Sequence, residues 1–92
     1  MDDRRALAEI FSALASEQRL KIVEMIAAGE VECQEIISGL DLSQSAVSYH
    51  LCKLEHAGVL KKEKKGSRNC YRVKESVKQM IKILKPRREN GP

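Results

Sequence analysis

The 92 residues suffice for one domain, and 42% hydrophobic with 33% charged residues is ordinary for a soluble globule rather than a disordered chain. The net charge of +4 is unevenly placed: residues 1–59 carry five basic and ten acidic side chains, residues 60–92 twelve basic and three acidic, so the later segment suits a phosphate backbone. Three aromatic residues (Phe11, Tyr49 and Tyr71) are too few for stacking on single-stranded bases, and no apolar run or signal-peptide core is present, which excludes membrane spans and points to the cytoplasm.

In chain order, residues 2–15 read as a first helix, with Leu7, Ile10, Phe11 and Leu14 at helical spacing and two aspartates at the positive end of the dipole. Ser16 caps a second helix over 17–28, with Leu20, Val23, Ile26 and Ala27 inward and Gly29 as its stop. Residues 30–33 alternate charged and apolar, which suits a short extended piece. Residues 34–39 make a short third helix, with Ile36, Ile37 and Leu40 apolar. Asp41 and Leu42 then connect tightly into a fourth helix with both ends written in: Ser43 as N-cap and Gly58 just past the C-terminus.

This fourth helix has two unlike faces. Val47, Leu51 and Leu54 fall at i, i+4, i+7 and form one apolar stripe. Opposite lie Gln44, Ser45, Ser48 and Tyr49, uncharged groups that donate and accept hydrogen bonds. A solvated helix face more often carries Lys and Glu. Short polar groups suit close approach to base edges in a DNA major groove, so these four are the candidate DNA-reading residues. Two helices joined by a tight turn, the second capped and polar-faced, form the helix-turn-helix pattern.

After Gly58 the period changes to two. Residues 59–65 and 68–73 read as strands around Gly66-Ser67, a Gly-x pair suited to a type II′ hairpin. Lys61, Lys62, Lys64, Lys65 and Arg68 on this hairpin are the candidate phosphate contacts. A closing helix over 74–85 follows, with Val77, Met80, Ile81 and Leu84 apolar; Pro86 stops it, leaving 86–92 as a frayed basic tail beyond a single domain of residues 1–85. The expected fold is mainly α with a small β-hairpin, a winged helix-turn-helix. The apolar faces of the first and last helices are wider than one small core requires, which suits a homodimer built on them.

Three stretches resemble the ArsR/SmtB family of small dimeric winged-helix repressors. ALASEQRLKIVEMI (13–26) is similar to the family's second helix, LSQSAVSYHLCKLEHAGVL (42–60) to its DNA-reading helix, and Tyr71-Arg72-Val73 to the end of its wing. The resemblance implies a homodimer, binding to a double-stranded DNA operator, and release by an effector. The family's metal sites do not carry over residue by residue. Glu32 and Gln34 stand where the arsenic-type site has cysteines, the closing helix has no histidine, and Lys53 and Ala57 occupy the positions of a third, two-cysteine arrangement. No metal or cofactor is therefore expected, and the effector is not identified by the sequence.

The remaining chemistry is sparse. Cys33, Cys52 and Cys70 are odd in number and irregularly spaced, so they form no disulfide framework. Cys33 reads as core filler. Cys52 and His56, at i and i+4, supply only two ligands of a metal site. Cys70 alternates with Arg68 and Arg72 and reads as an exposed, oxidisable thiol. With no phosphate-cradling loop, nucleophile elbow or placed acid–base pair, the chain is not expected to be an enzyme. The reading is a sequence-specific transcription regulator, most simply a repressor. A non-specific architectural DNA binder and a protein-binding winged-helix module are its rivals.

Overall fold

The computed structural model describes residues 3–29 and 31–85, with the backbone alone for 31–34. The tail read at 86–92 and the core role expected of the Cys33 side chain lie outside what is described. In order, the elements are α1 (Asp3–Leu14), α2 (Glu17–Ala27), β1 (Val31–Glu32), α3 (Cys33–Gly39), α4 (Gln44–His56), β2 (Leu60–Lys65), β3 (Arg68–Val73) and α5 (Glu75–Leu84).

The two serine N-caps read from the sequence are in place, while Gly29, read as the stop of α2, follows a C-cap at Ala28 and does not take the left-handed conformation. Ser16 Oγ accepts from Arg19 N–H at 3.3 Å, and Ser43 Oγ accepts from Ala46 N–H at 3.1 Å, each satisfying a first-turn donor. At the far end of α4, Gly58 takes φ +86°. That left-handed residue lets Gly58 N–H reach Glu55 O at 3.1 Å and Val59 N–H reach Leu54 O at 2.9 Å, the paired bonds of a Schellman motif. The chain leaves α4 turned directly into β2.

The core gathers one stripe from each helix and the base of the sheet. Ile22, Val23, Ile36, Val47, Leu54 and Val59 are fully buried, and Leu51, Leu60, Tyr71 and Val77 nearly so. α2 buries more than the single face expected of it. Ile22 is as inaccessible as Val23, because α2 packs between α1 on one side and α4 and β3 on the other. Leu20 and Ala27, expected inward, are only half-buried.

Among the described residues the sheet has three strands, not the two of a simple hairpin, in the antiparallel order β1-β3-β2. β1 pairs Val31 with Tyr71 and Glu32 with Cys70; β2 pairs with β3 from Leu60↔Val73 to Lys65↔Arg68. Between Lys65 and Arg68 only Gly66 has positive φ, +65°, which fits the type II′ turn and not type I′, where both central residues must be left-handed. The third strand corrects one sequence expectation. Cys70 is buried, at 7% exposure, rather than exposed and oxidisable. It sits on the central strand between Glu63 of β2 and Glu32 of β1, so neither flank is an open edge.

α1 and α5 bury little of their apolar faces. Phe11 is 51% and Leu84 69% exposed, with Leu7 and Ile83 also open. Phe11, Leu14, Leu20, Met80, Ile81 and Leu84 line a shared apolar groove of about 370 Å³, rimmed by an ion pair between Lys85 Nζ and Glu24 Oε2 at 3.0 Å. No helix among the described residues is long and apolar enough to cross a membrane.

Candidate nucleic-acid interface

The stripe of Val47, Leu51 and Leu54 fixes the rotation of α4 about its axis, because all three are at or below 3% exposure. With that face committed to the core, Gln44, Ser45, Ser48 and Tyr49 are all exposed. The open face continues through Cys52, Lys53 and His56, so the two-ligand pair of Cys52 and His56 lies on the same surface as the candidate reading residues. Among the described residues no three His, Cys, Asp or Glu side chains converge as a metal site would require.

Tyr49 is the one large aromatic presented to solvent on this helix, at 57% exposure. Its ring meets the His50 ring edge to face, with centroids 5.6 Å apart, and Lys53 Nζ stands 5.9 Å from its centre, within reach of a weak cation–π attraction. His50 itself turns inward and is half-buried. Arg19 Nη1 lies 3.3 Å from His50 Nδ1, while Arg19 Nε donates to Ala13 O at 2.6 Å. A guanidinium has only donors, so Nδ1 must accept and the neutral ring carries its proton on Nε2. Burial, and then the neighbouring Arg19 charge, hold the His50 pKa below its usual value.

The wing cations divide between the two faces of the sheet. Cross-strand partners share a face, so Lys62 lies with Tyr71 and Lys64 with Asn69, while Lys61 lies with Arg72 and Lys65 with Arg68. Tyr71 and Lys62 join Ser48, Leu51, Cys52 and Glu55 in a cleft of about 260 Å³ between α4 and the wing. Lys62 and Lys64 therefore belong to the face turned toward α4. Lys61 belongs to the opposite face, in a groove shared with Ile26, Arg72, Val73 and Lys78. Lys65 and Arg68 flank the turn at the tip. Arg72 Nε lies 3.8 Å from Glu63 Oε1 across the strands, an exposed pair of small energetic value.

Two residues escaped the sequence reading as parts of this surface. Arg19 stands in α2, and its link to α4 has no local signature. Tyr71, taken only as part of a family-like ending of the wing, is buried and closes the cleft beneath Lys62. Its alternation with Lys62 across the hairpin register was the available signal.

Comparison with known proteins bears on the arrangement as a whole. The family model described as "Bacterial regulatory protein, arsR family" matches residues 16–62, the span from the α2 cap into β2. An uncharacterized HTH-type transcriptional regulator of Methanocaldococcus jannaschii, MJ1325, is 36% identical over 86 residues, covering 91% of this chain and 97% of its own. The crystal structure of the transcriptional repressor PagR of Bacillus anthracis superimposes with a TM-score of 0.80 at 34% identity, covering 89% of this chain and 95% of that one. The homodimeric winged helix-turn-helix DNA-binding domain Mb0332 of Mycobacterium bovis gives 0.81 at 26% identity, with 91% and 83% covered. Helix-turn-helix, wing and sequence thus agree, and the chain belongs to the arsR family of bacterial regulatory proteins, DNA-binding winged-helix transcription regulators.

Proposed function

We propose that the protein is a homodimeric repressor that reads a two-fold operator with α4 and grips the flanking phosphates with its wing. The observation that carries this reading is the face of α4. Its core stripe aims Gln44, Ser45, Ser48 and Tyr49 outward together, and none of the four carries a charge. Hydroxyls and an amide at the N-terminal half of a groove-sized helix can bond base edges without the indifference to sequence of a lysine face. Lys62 and Lys64 beside α4, with Lys65 and Arg68 at the tip, would meet phosphates. Lys61, on the far face, would add to the attractive field rather than make a fixed contact.

Dimerisation follows from the groove of α1 and α5. A second copy would cover Phe11 and Leu84, and burying each such side chain contributes roughly 1.5–3 kcal/mol. Two reading helices would then address half-sites about 34–36 Å apart. PagR is named a repressor and the Mycobacterium bovis domain is described as homodimeric, which supports both assignments here. The site of action is the cytoplasm, where the operator is, and residues 1–85 form the functional unit.

Selection of bound duplexes from a random pool, followed by competition against random DNA, tests the reading. It expects a palindromic site preferred by about a thousandfold or more. A preference ratio near one would favour an architectural DNA binder, and the absence of any salt-dependent DNA affinity would favour a protein-binding module.

A further inference from the structure

We infer that Arg19 is a positioning residue for the reading surface, holding the His50 ring and through it Tyr49, so that discrimination of the operator weakens when His50 takes a proton. The inference rests on the proposed DNA-reading role of α4.

The geometry is a chain of contacts across three helices. Arg19 Nε is anchored on Ala13 O at the C-terminal end of α1, at 2.6 Å. Its Nη1 meets His50 Nδ1 at 3.3 Å. The His50 ring meets Tyr49 edge to face, and Tyr49 projects into solvent among the reading residues. The orientation of an exposed tyrosine is thus set from inside by a ring that is held from α2 and α1. Protonated His50 would present an N–H where it now accepts, facing a permanent cation. The contact would reverse from attraction to repulsion, and the ring would have to turn.

Charged groups of both signs stand on the elements packed around α4. α2 presents Arg19 itself. Glu9 of α1 lines a neighbouring pocket of about 170 Å³ together with Arg19 and with Lys53 and His56 of α4. α3 carries Glu35 in its first turn. The wing's Lys62 lies with Cys52 and Glu55 in the cleft on the other flank of α4. Burial and the Arg19 charge keep His50 neutral around neutrality, so the contact is intact under ordinary conditions and fails in acid.

A charge gained on α4 would also strengthen general attraction to phosphates. The informative quantity is therefore the preference for the selected operator over random DNA, not affinity alone. Preference is to be measured from about pH 7.5 to about pH 5 in wild type, His50→Asn and Arg19→Met, with His50 ring titration followed by NMR in wild type and Arg19→Met. Asparagine offers an acceptor near the Nδ1 position and does not titrate. The wild-type preference should fall about fivefold toward acid. His50→Asn should stay flat. Arg19→Met should show the reduced preference already at neutral pH, and its His50 should titrate closer to the ordinary value. A wild-type preference that does not change with pH, or an equal fall in His50→Asn, overturns the inference while leaving α4 as the reader. Absence of preference at every pH overturns that reading, and this inference with it. If Arg19→Met fails to fold by circular dichroism, the wild-type and His50→Asn profiles still decide.

Discussion

Lys74 N–H donates to Val59 O at 2.9 Å, joining the residue before β2 to the residue after β3. Val59 N–H is itself committed to Leu54 O, and its side chain is fully buried. One peptide neighbourhood therefore receives the end of α4, the base of the wing and the start of α5. The relative placement of α4 and the wing depends on the turn at Gly58 that delivers Val59 to this position.

Gly58→Ala tests that dependence. A Cβ at Gly58 would meet nothing within 4 Å, so its cost is the left-handed backbone alone. About 1–2 kcal/mol of stability should be lost, read as a lower urea midpoint with an unchanged slope. Operator affinity should fall by more than stability predicts, because the wing base shifts with the turn. A variant as stable as wild type would mean that the helix end tolerates another conformation.

Phe11→Asp should convert a dimer to a monomer that keeps its helical circular dichroism. The side chain is half exposed in one copy, so the charge is tolerated there, but covering it in a dimer costs several kcal/mol (roughly 2–7 for an unpaired buried polar group). Sedimentation at micromolar concentration distinguishes the two states. A wild-type protein that is monomeric and still binds its operator tightly would remove the dimer from the proposal.

Base readers and phosphate contacts should separate by their response to DNA sequence. Ser45→Ala and Gln44→Ala should each cost about 1–3 kcal/mol on the operator and little on random DNA. Lys64→Ala should weaken both alike and reduce the salt slope by about one ion. Lys61→Ala, on the far face of the sheet, should do less than Lys64→Ala at the same salt. Equal losses on both DNAs for the α4 variants would show that this helix is not the reader.

The two described cysteine side chains should differ in reactivity. Cys52 is exposed on the open face of α4, whereas Cys70 is buried in the central strand. A thiol reagent applied to the reduced native protein should modify Cys52 at once and Cys70 only on unfolding. Modified Cys52 should block DNA binding by bulk, and Cys52→Ser should resist that block. Rapid modification of Cys70 in the folded protein would contradict the three-stranded arrangement.

Acid should destabilise the fold through His50. Its pKa is lowered in the native state, by burial first and the Arg19 charge second, while the unfolded chain titrates near about 6.5. Between those values the unfolded state binds more protons. The contribution is therefore fully present above about pH 6.5 and is lost as pH falls through the native pKa. Thermal melting should show a larger acid decrement in wild type than in His50→Asn. Identical decrements would mean that other groups carry the acid response.

Local chemistry made much of this legible. Ser43 and Gly58 mark α4 because a hydroxyl cap and a left-handed glycine act within a few residues, and the stripe of Val47, Leu51 and Leu54 set its rotation without further information. The strand alternation from Leu60 to Val73 likewise assigned the turn. What was missed spans long separations. β1 has two residues and no period to detect, yet it pairs Glu32 with Cys70, and the thiol that alternation alone left exposed is buried. The contact of Arg19 with His50 joins residues 31 apart, and nothing in either local sequence announces it.

In the strand order β1-β3-β2, the strand β2, LKKEKK, stands at an edge of the sheet among the described residues. Such an edge invites another chain to add a strand, the first step of ordered aggregation. Four lysines in six residues make that addition unfavourable, since an identical strand laid alongside in parallel register would set lysine against lysine at four of its six positions. The residues assigned here to gripping DNA also keep copies of the wing from zipping together. Replacing them wholesale with alanine would leave a protein harder to keep in solution, so lost binding in such a variant has to be separated from lost soluble material.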